Sequence, residues 1–284
     1  MKLSVSAWCL QEKLFGKEMT ILDFIRFCHE NGVKFVELLD CFLSGERDIK
    51  EVKELLKELD MKVSAYSISN DFVLSDSSDR RSQVEYMKKS MDTALELGTG
   101  IMRVFSGNNK DGMSLDMAED WIVECFQEAA PLAEQKGITM VLENHGLLAG
   151  KSYQVKNIID RTCSKALKSN ADVGNFMLVN ENPLEAVKLL KDQIGFLHLK
   201  DLKKVDLAEA DSAEADTKEC YTAIDGSVYQ GAVLGKGDVP IPEIIAYMKA
   251  SGYQGFLSIE FEGPGDPAEG TTECIAYARQ ELDK

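Results

Sequence analysis

Four residues capable of chemistry interrupt segments that are otherwise apolar. Glu143 closes ITMVLE, Asp172 closes SNAD, His198 lies near the end of GFLHLK, and Glu260 lies in FLSIEFEG. A charge within such a segment is costly to bury unless it is paired or bound to a cation. Three carboxylates and one imidazole make an oxygen-rich, borderline-hard donor set. It suits Mn²⁺, with Mg²⁺ or Co²⁺ as alternatives, better than a structural zinc site built on thiolates. Taken singly, such an acid is more often a helix N-cap or an ion-pair partner than a ligand, and such a histidine more often a hydrogen-bonded core residue. Their recurrence on successive segments is what singles them out.

Eight apolar runs must position these residues: Leu3 to Trp8, Val33 to Leu38, Val63 to Ser69, Ile101 to Phe105, Ile138 to Glu143, Ser169 to Asp172, Gly195 to Leu199 and Phe256 to Phe261. They are short, bounded by turn residues and rich in branched or aromatic side chains, as buried parallel strands are. Amphipathic helices are expected between them, over 20–31, 48–59, 79–97 and 115–136, with apolar residues at three-and-four spacing. Gly32, Gly98 and Gly137 stand where left-handed helix ends are wanted. Asn182-Pro183 reads as an N-cap followed by a first-turn proline.

Eight βα units in 284 residues is the arithmetic of a (β/α)₈ barrel occupying the whole chain as one domain. A doubly wound sheet is the alternative, but no glycine-rich phosphate loop follows any early strand. The last interval is about twice the others, which marks an insertion at about 202–236. It contains the acidic stretch DLAEADSAEADTKE. A solvated loop or short exposed helix is one expectation for it, and a lid or substrate wall at the catalytic face is the other.

The motifs VLENHG, ADVGNF, FLHLKD, LGKGDVPIPEII and FLSIEFEG resemble the sugar phosphate isomerase/epimerase family of xylose isomerase-like TIM barrels. The resemblance spans essentially the whole chain. It implies that Glu143, Asp172, His198 and Glu260 are the metal ligands, on strands five to eight. It also implies that the cation acidifies a carbon-bound proton next to the carbonyl of a ketose or related polyol ketone and stabilises the enediolate oxygen. Glu143 and Glu260 would then exchange the proton from opposite faces. Sugar epimerisation or isomerisation leads. A lyase on the same site is the alternative, of the inosose dehydratase type or the C-glycoside deglycosidase catalytic-subunit type, the latter with a small partner subunit.

Several neighbours are candidates for substrate contact. His145, two residues past Glu143, is an acid/base or hydrogen-bond candidate. Asn175 stands where ketose 3-epimerases commonly carry a histidine, a departure from that branch. Lys200 offers a charge to a substrate oxygen, and Asp201 is a candidate for orienting a ligand or the lysine. Glu37 and Arg103 read either as sugar hydroxyl ligands or as barrel-interior partners. Trp8 reads as an apolar wall or as core packing. Glu262 alternates with Glu260 and is its rival as fourth ligand.

The partner class follows from charge. Lys and Arg total 32 against 48 Asp and Glu, a formal net charge of −16, which is wrong for nucleic acid or an anionic membrane surface. A small carbohydrate is the expected partner, preferably unphosphorylated, since the lysines near the relevant loops are accompanied by many acids. The exposed helix layer is compatible with a homo-oligomer. Seven scattered cysteines without CxxC spacing read as reduced thiols, and the expected location is cytoplasmic.

Overall fold

The structure, a computed structural model, describes residues 1–43, 45–206 and 220–284. Its strands are β1 (Lys2–Ser6), β2 (Phe35–Leu39), β3 (Lys62–Ser67), β4 (Ile101–Val104), β5 (Thr139–Glu143), β6 (Leu167–Asp172), β7 (Ile194–Leu199), β8 (Asp201–Val205), β9 (Cys220–Thr222), β10 (Val228–Ala232) and β11 (Phe256–Ile259). Strands β1 to β7 and β11 close a parallel barrel in which β11 pairs with both β7 and β1. Each anticipated apolar run coincides with one of these barrel strands to within about two residues at its start. The helices are α1 (Gln11–Phe15), α2 (Ile21–Glu30), α3 (Glu46–Glu58), α4 (Ser77–Glu96), α5 (Leu115–Lys136), α6 (Ser152–Thr162), α7 (Asn175–Leu178), α8 (Pro183–Leu190), α9 (Ile241–Ala250) and α10 (Pro267–Asp283).

Local signals in the sequence set the helix ends. Thr20 and Asp23 form a reciprocal capping box at the start of α2. The Asn182 side chain accepts from the Glu185 N–H, with Pro183 at the first helical position of α8. Gly137 ends α5 in the left-handed conformation (φ +70°), which glycine adopts without a Cβ penalty. The apolar faces of the helices then pack on the outside of the barrel; Phe24, Ile25, Met87, Met91, Ile122 and Phe126 are buried there.

The barrel interior follows from strand periodicity, because residues two apart on a strand point to the same side. Ala65, Val141 and Phe196 form a buried apolar cluster with Ile101 and Phe256 against it. Two residues further along each of these strands come Ser67, Glu143, His198, Arg103 and Ser258, all buried. An apolar plug therefore supports a polar layer at the C-terminal end of the barrel.

Of the two expectations for the insertion, its described parts agree with the substrate wall. Its described parts form a three-stranded antiparallel sheet, ordered β8-β10-β9. Among the described residues it is neither a plain solvated loop nor a helix, and Tyr221, Thr222 and Ile224 form part of a wall at the barrel mouth. Only Lys200 separates β7 from β8, so the strand leaving the barrel runs on into a hairpin with β10. Gly231 of β10 presses on the Glu262 carbonyl so closely that a Cβ there would collide with it. This seats the sheet over the barrel mouth. The acidic stretch at 207–219 lies outside the described residues.

Candidate metal centre and cavity

Parallel register brings the four singled-out residues together. Asp172 pairs with His198 across β6 and β7, His198 pairs with Ser258 across β7 and β11, and Glu143 pairs with Asn170 across β5 and β6. One donor atom from each of Glu143, Asp172, His198 and Glu260 lies within 4.8 Å of the others, and all four residues are buried. His198 Nδ1 is 3.6 Å from Glu143 Oε2 and 3.6 Å from Glu260 Oε2. Its other nitrogen, Nε2, meets the Glu37 carboxylate at 3.0 and 3.1 Å. Glu37 also accepts from Ser67 Oγ at 2.6 Å and Ser258 Oγ at 2.8 Å. A carboxylate on the far nitrogen fixes the ring and leaves the near nitrogen as the ligand atom.

Neighbouring side chains hold the carboxylates. Arg103 Nε lies 3.2 Å from Glu143 Oε2, and the guanidinium carbon stacks 4.0 Å from the centre of the Phe105 ring. Asn170 Nδ2 donates to Glu143 Oε2 at 3.3 Å and Asn175 Nδ2 to Glu143 Oε1 at 3.5 Å. Asp172 Oδ1 accepts from the backbone N–H groups of Gly174 and Asn175, at 2.9 and 3.0 Å, which aims Oδ2 inward. Asn144 ties β5 to β6, accepting from Asp172 N at 2.7 Å and donating to its carbonyl at 2.9 Å.

Beside this group lies a second cluster centred on Glu262. It accepts from Trp8 Nε1 at 2.7 Å and from Lys200 Nζ at 3.0 Å. The Tyr221 hydroxyl of β9 donates to its other oxygen. Lys200 Nζ is also 3.6 Å from Glu260 Oε2 and 4.0 Å from Asp172 Oδ2. Gly174 makes room for this lysine, since a Cβ there would sit 2.8 Å from Lys200 Cγ. A cavity of about 450 Å³ opens above both clusters, its lining including Trp8, Arg103, Glu143, His145, Asn175, Lys200, Tyr221, Glu260 and Glu262.

Residues 25–281 match the model of the xylose isomerase-like TIM barrel family. The chain belongs to that family. An inosose dehydratase of Clostridium perfringens (strain ATCC 13124) is 24% identical over 265 residues, covering 89% of this chain and 85% of the relative. The probable 3-DHS dehydratase AsbF of Bacillus anthracis superposes with a TM-score of 0.77 at 19% identity, over 98% of this chain and 99% of that one. A D-tagatose 3-epimerase-like protein superposes with a TM-score of 0.77 at 20% identity, over 100% and 97%.

In this xylose isomerase-like barrel the donor set fits a divalent cation by an observation internal to the chain. Asp172 Oδ2 and His198 Nδ1 are buried without a hydrogen-bond partner among the described residues, and both point into the four-residue cluster. Leaving such atoms unpaired costs about 1–3 kcal/mol each, a cost that a cation removes. Without an ion, the cluster favours protons on the same groups. Burial pulls the His198 pKa down, but Glu37 and Glu260 outweigh it and push the imidazole up to about 10. Burial raises Asp172, with Lys200 opposing. Burial also raises Glu260 well above the usual carboxylate range against His198 and Lys200. Burial would raise Glu37 too, but His198 and Arg103 hold it down to about 2. Glu262 is held low against burial by Lys200 and by the Tyr221 and Trp8 hydrogen bonds. Lys200 keeps its proton despite burial because Glu262, Asp172 and Glu260 surround it.

The family member's remaining candidate residues fall into place individually. His145 lines the cavity with its ring 5.1 Å from Phe105. Trp8 is a cavity wall that also donates a hydrogen bond, and Arg103 and Asn175 line the cavity beside Glu143. Glu37 takes the second of its two expected roles: fully buried behind His198, it is a barrel-interior partner and does not line the cavity. Asp201 orients neither ligand nor lysine. Its carboxylate instead accepts from the backbone N–H groups of Gly235, Gly237 and Val239, because the loop returning from β10 folds around it. Lys203 and Lys236 pair with Asp238 and Glu273, outside the cavity lining. Sequence reasoning missed Tyr221, Asn144 and Asn170. Tyr221 comes from a three-residue strand, too short for a periodic signal, and only its tyrosine in a polar stretch marked it.

Proposed function

We propose that this chain is a divalent-metal-dependent enzyme that moves a proton on the carbon beside the carbonyl of a polyhydroxylated ketone, and that it acts as a sugar epimerase or isomerase. The carrying observation is the buried cluster of Glu143, Asp172, His198 and Glu260 at the floor of a cavity, two of whose donor atoms have no hydrogen-bond partner among the described residues. The three-carboxylate, one-imidazole set favours Mn²⁺, with Mg²⁺ or Co²⁺ as alternatives. When bound, the cation supplies positive charge that acidifies the proton beside the carbonyl.

The chain's own residues supply the rest. Glu143 and Glu260 flank His198 Nδ1 at equal distance, so a substrate carbon above them meets a carboxylate on either side. Arg103 and the amides of Asn170 and Asn175 hold Glu143 in place. Lys200 brings a fixed positive charge beside Glu260, suited to a substrate oxygen that gains negative charge. His145, at the rim, offers a further proton donor or acceptor to a hydroxyl. The expected partner is a small unphosphorylated carbohydrate, with a homo-oligomer compatible with the exposed helices. A cytoplasmic setting fits seven cysteines that are all unpaired, and no helix among the described residues is long and apolar enough to cross a membrane.

Dehydration is the second reading, favoured by the 24% identity to inosose dehydratase over most of the chain. The two diverge only after the proton has left carbon: either it returns there, or a neighbouring hydroxyl departs, assisted by an acid such as His145. Incubating the Mn²⁺-loaded protein in D₂O with a panel of ketoses and inososes tests both. Deuterium in an epimer or aldose supports the first, and loss of water the second. Absence of exchange from every substrate, with metal bound, overturns both.

A further inference from the structure

The cavity is built in two halves of opposite character. Its floor is the polar layer just described. Its rim carries Leu147 and Ile224, which are 46% and 53% exposed and rank among the most exposed large hydrophobic side chains of the described residues. A single exposed hydrophobe needs no explanation. Here two, from separate elements, line the same cavity beside Leu178 and Val179. Leu147 follows β5, while Ile224 sits in the turn between β9 and β10.

That turn is held in place. The Ile224 N–H donates to the Leu178 carbonyl at 3.0 Å, which ties the insertion to α7. Ala223 N donates to Ser227 O at 2.8 Å, and the Asp225 carboxylate accepts from Ser227 N at 2.8 Å. The isoleucine is thus presented by a fixed turn and stands 53% exposed in the cavity lining. A volume of about 450 Å³ falls in the range of ~300–1,000 Å³ that accommodates drug-sized ligands.

We propose that the natural ligand has two parts: a polyhydroxylated carbonyl-bearing ring on the polar floor, and a ring-sized apolar substituent covering Leu147 and Ile224. This rests on the reading of the floor as a carbohydrate site and narrows its substrate class from free sugars to apolar-substituted ones. Burying the substituent removes the two exposed side chains from water, and only a ligand already anchored at the floor brings it there. Ile224 and Leu147 are in this account specificity-determining residues that take no part in proton transfer.

Binding alone tests the idea, separately from turnover. Calorimetry on the Mn²⁺-loaded full chain compares methyl and phenyl β-D-ribo-hexopyranosid-3-ulose, two glycosides that carry the ring carbonyl and differ only in the substituent. The phenyl compound is expected to bind about tenfold or more tightly, the gain from burying one ring-sized apolar group. In the double variant Ile224→Ser, Leu147→Ser that ratio is expected to fall to within about twofold of unity. Equal affinities, no binding by either compound, or a ratio that survives the double substitution overturns the proposal. So does light scattering that finds a dimer which the double substitution dissociates, since a second copy then covers the patch. Deuterium exchange with unsubstituted ketoses is unaffected by any of these outcomes, so the floor's chemistry stands or falls on its own.

Discussion

Glu260 and Glu262 stand two residues apart at the end of one strand, yet they belong to different kinds of site. Glu262 is saturated: a tryptophan, a tyrosine and a lysine all donate to it. Glu260 faces a cluster in which Asp172 Oδ2 and His198 Nδ1 find no hydrogen bond among the described residues. Both clusters are buried and rich in carboxylates, so burial and charge do not distinguish them. Completeness of hydrogen bonding does. A finished network holds parts of the protein in place; an unfinished one, where the free atoms converge on one point, leaves room for a further ligand.

The largest expected effect tests that difference directly. Asp172→Asn keeps an acceptor for the Gly174 and Asn175 N–H groups but removes a charged donor atom. Metal content after dialysis should drop to background and solvent deuterium exchange should be lost. Glu262→Gln should retain one metal per chain. If the two variants lose metal alike, the distinction between the clusters fails.

Next in size is Glu37→Gln, which acts on the ion only through His198. Affinity for Mn²⁺ measured by calorimetry is expected to weaken about 10–100-fold, the usual cost of losing such a partner. An unchanged affinity would show that the serines and barrel packing orient the imidazole without the carboxylate.

The pH dependence should separate the clusters as well. In the ion-free protein His198 is pushed up to about 10, and Asp172 and Glu260 are raised. These protons must leave when a cation binds, so Mn²⁺ affinity should climb steadily from pH 5 to pH 9 with proton release. The stability sign agrees. The His198 contribution is complete below its ordinary 6.5 and is lost as pH rises toward about 10. The Glu37 contribution is complete above its ordinary 4.5 and is lost as pH falls toward about 2. Asp172 and Glu260, both raised by burial, contribute stability that is complete below their ordinary 3.8 and 4.5 and is lost as pH rises above those values. Metal-free protein should therefore melt highest near pH 4.5, and the gain in Tm on adding Mn²⁺ should widen as pH rises from there. A gain that is flat with pH would contradict the assignment.

The smallest effect belongs to the finished cluster. Tyr221→Phe removes one of three hydrogen bonds to Glu262 and should cost about 1–2 kcal/mol in urea unfolding, metal content being preserved.

Much of this was legible in the sequence, for a physical reason. Barrel strands are buried on both faces, so a charge at the end of one stands out, as at Glu143, Asp172, His198 and Glu260. The same contrast marked Glu37 but left its role open, because nothing in FVELL says whether the carboxylate meets solvent or the back of an imidazole. Register decides that, through the alignment of β2, β3 and β11 around Ser67 and Ser258. The strands of the insertion left no signal because they are short and half exposed, with lysines in β8, and lack the hydrophobic contrast that marks barrel strands. Tyr221, Ile224 and the loop-holding role of Asp201 went unseen for the same reason: each depends on pairing across the hairpin rather than on local pattern.

The ring of strands closes where β11 slots between β7 and β1. Of the four donor residues, three come from β5, β6 and β7, while Glu260 directly follows β11, the last barrel strand to leave the ribosome. A nascent chain that has not yet emitted residue 260 owns three-quarters of a site and an open seam. On the proposed function, all four donors come together only in a molecule that has finished its ring, so occupancy of the site by a cation would certify closure as well.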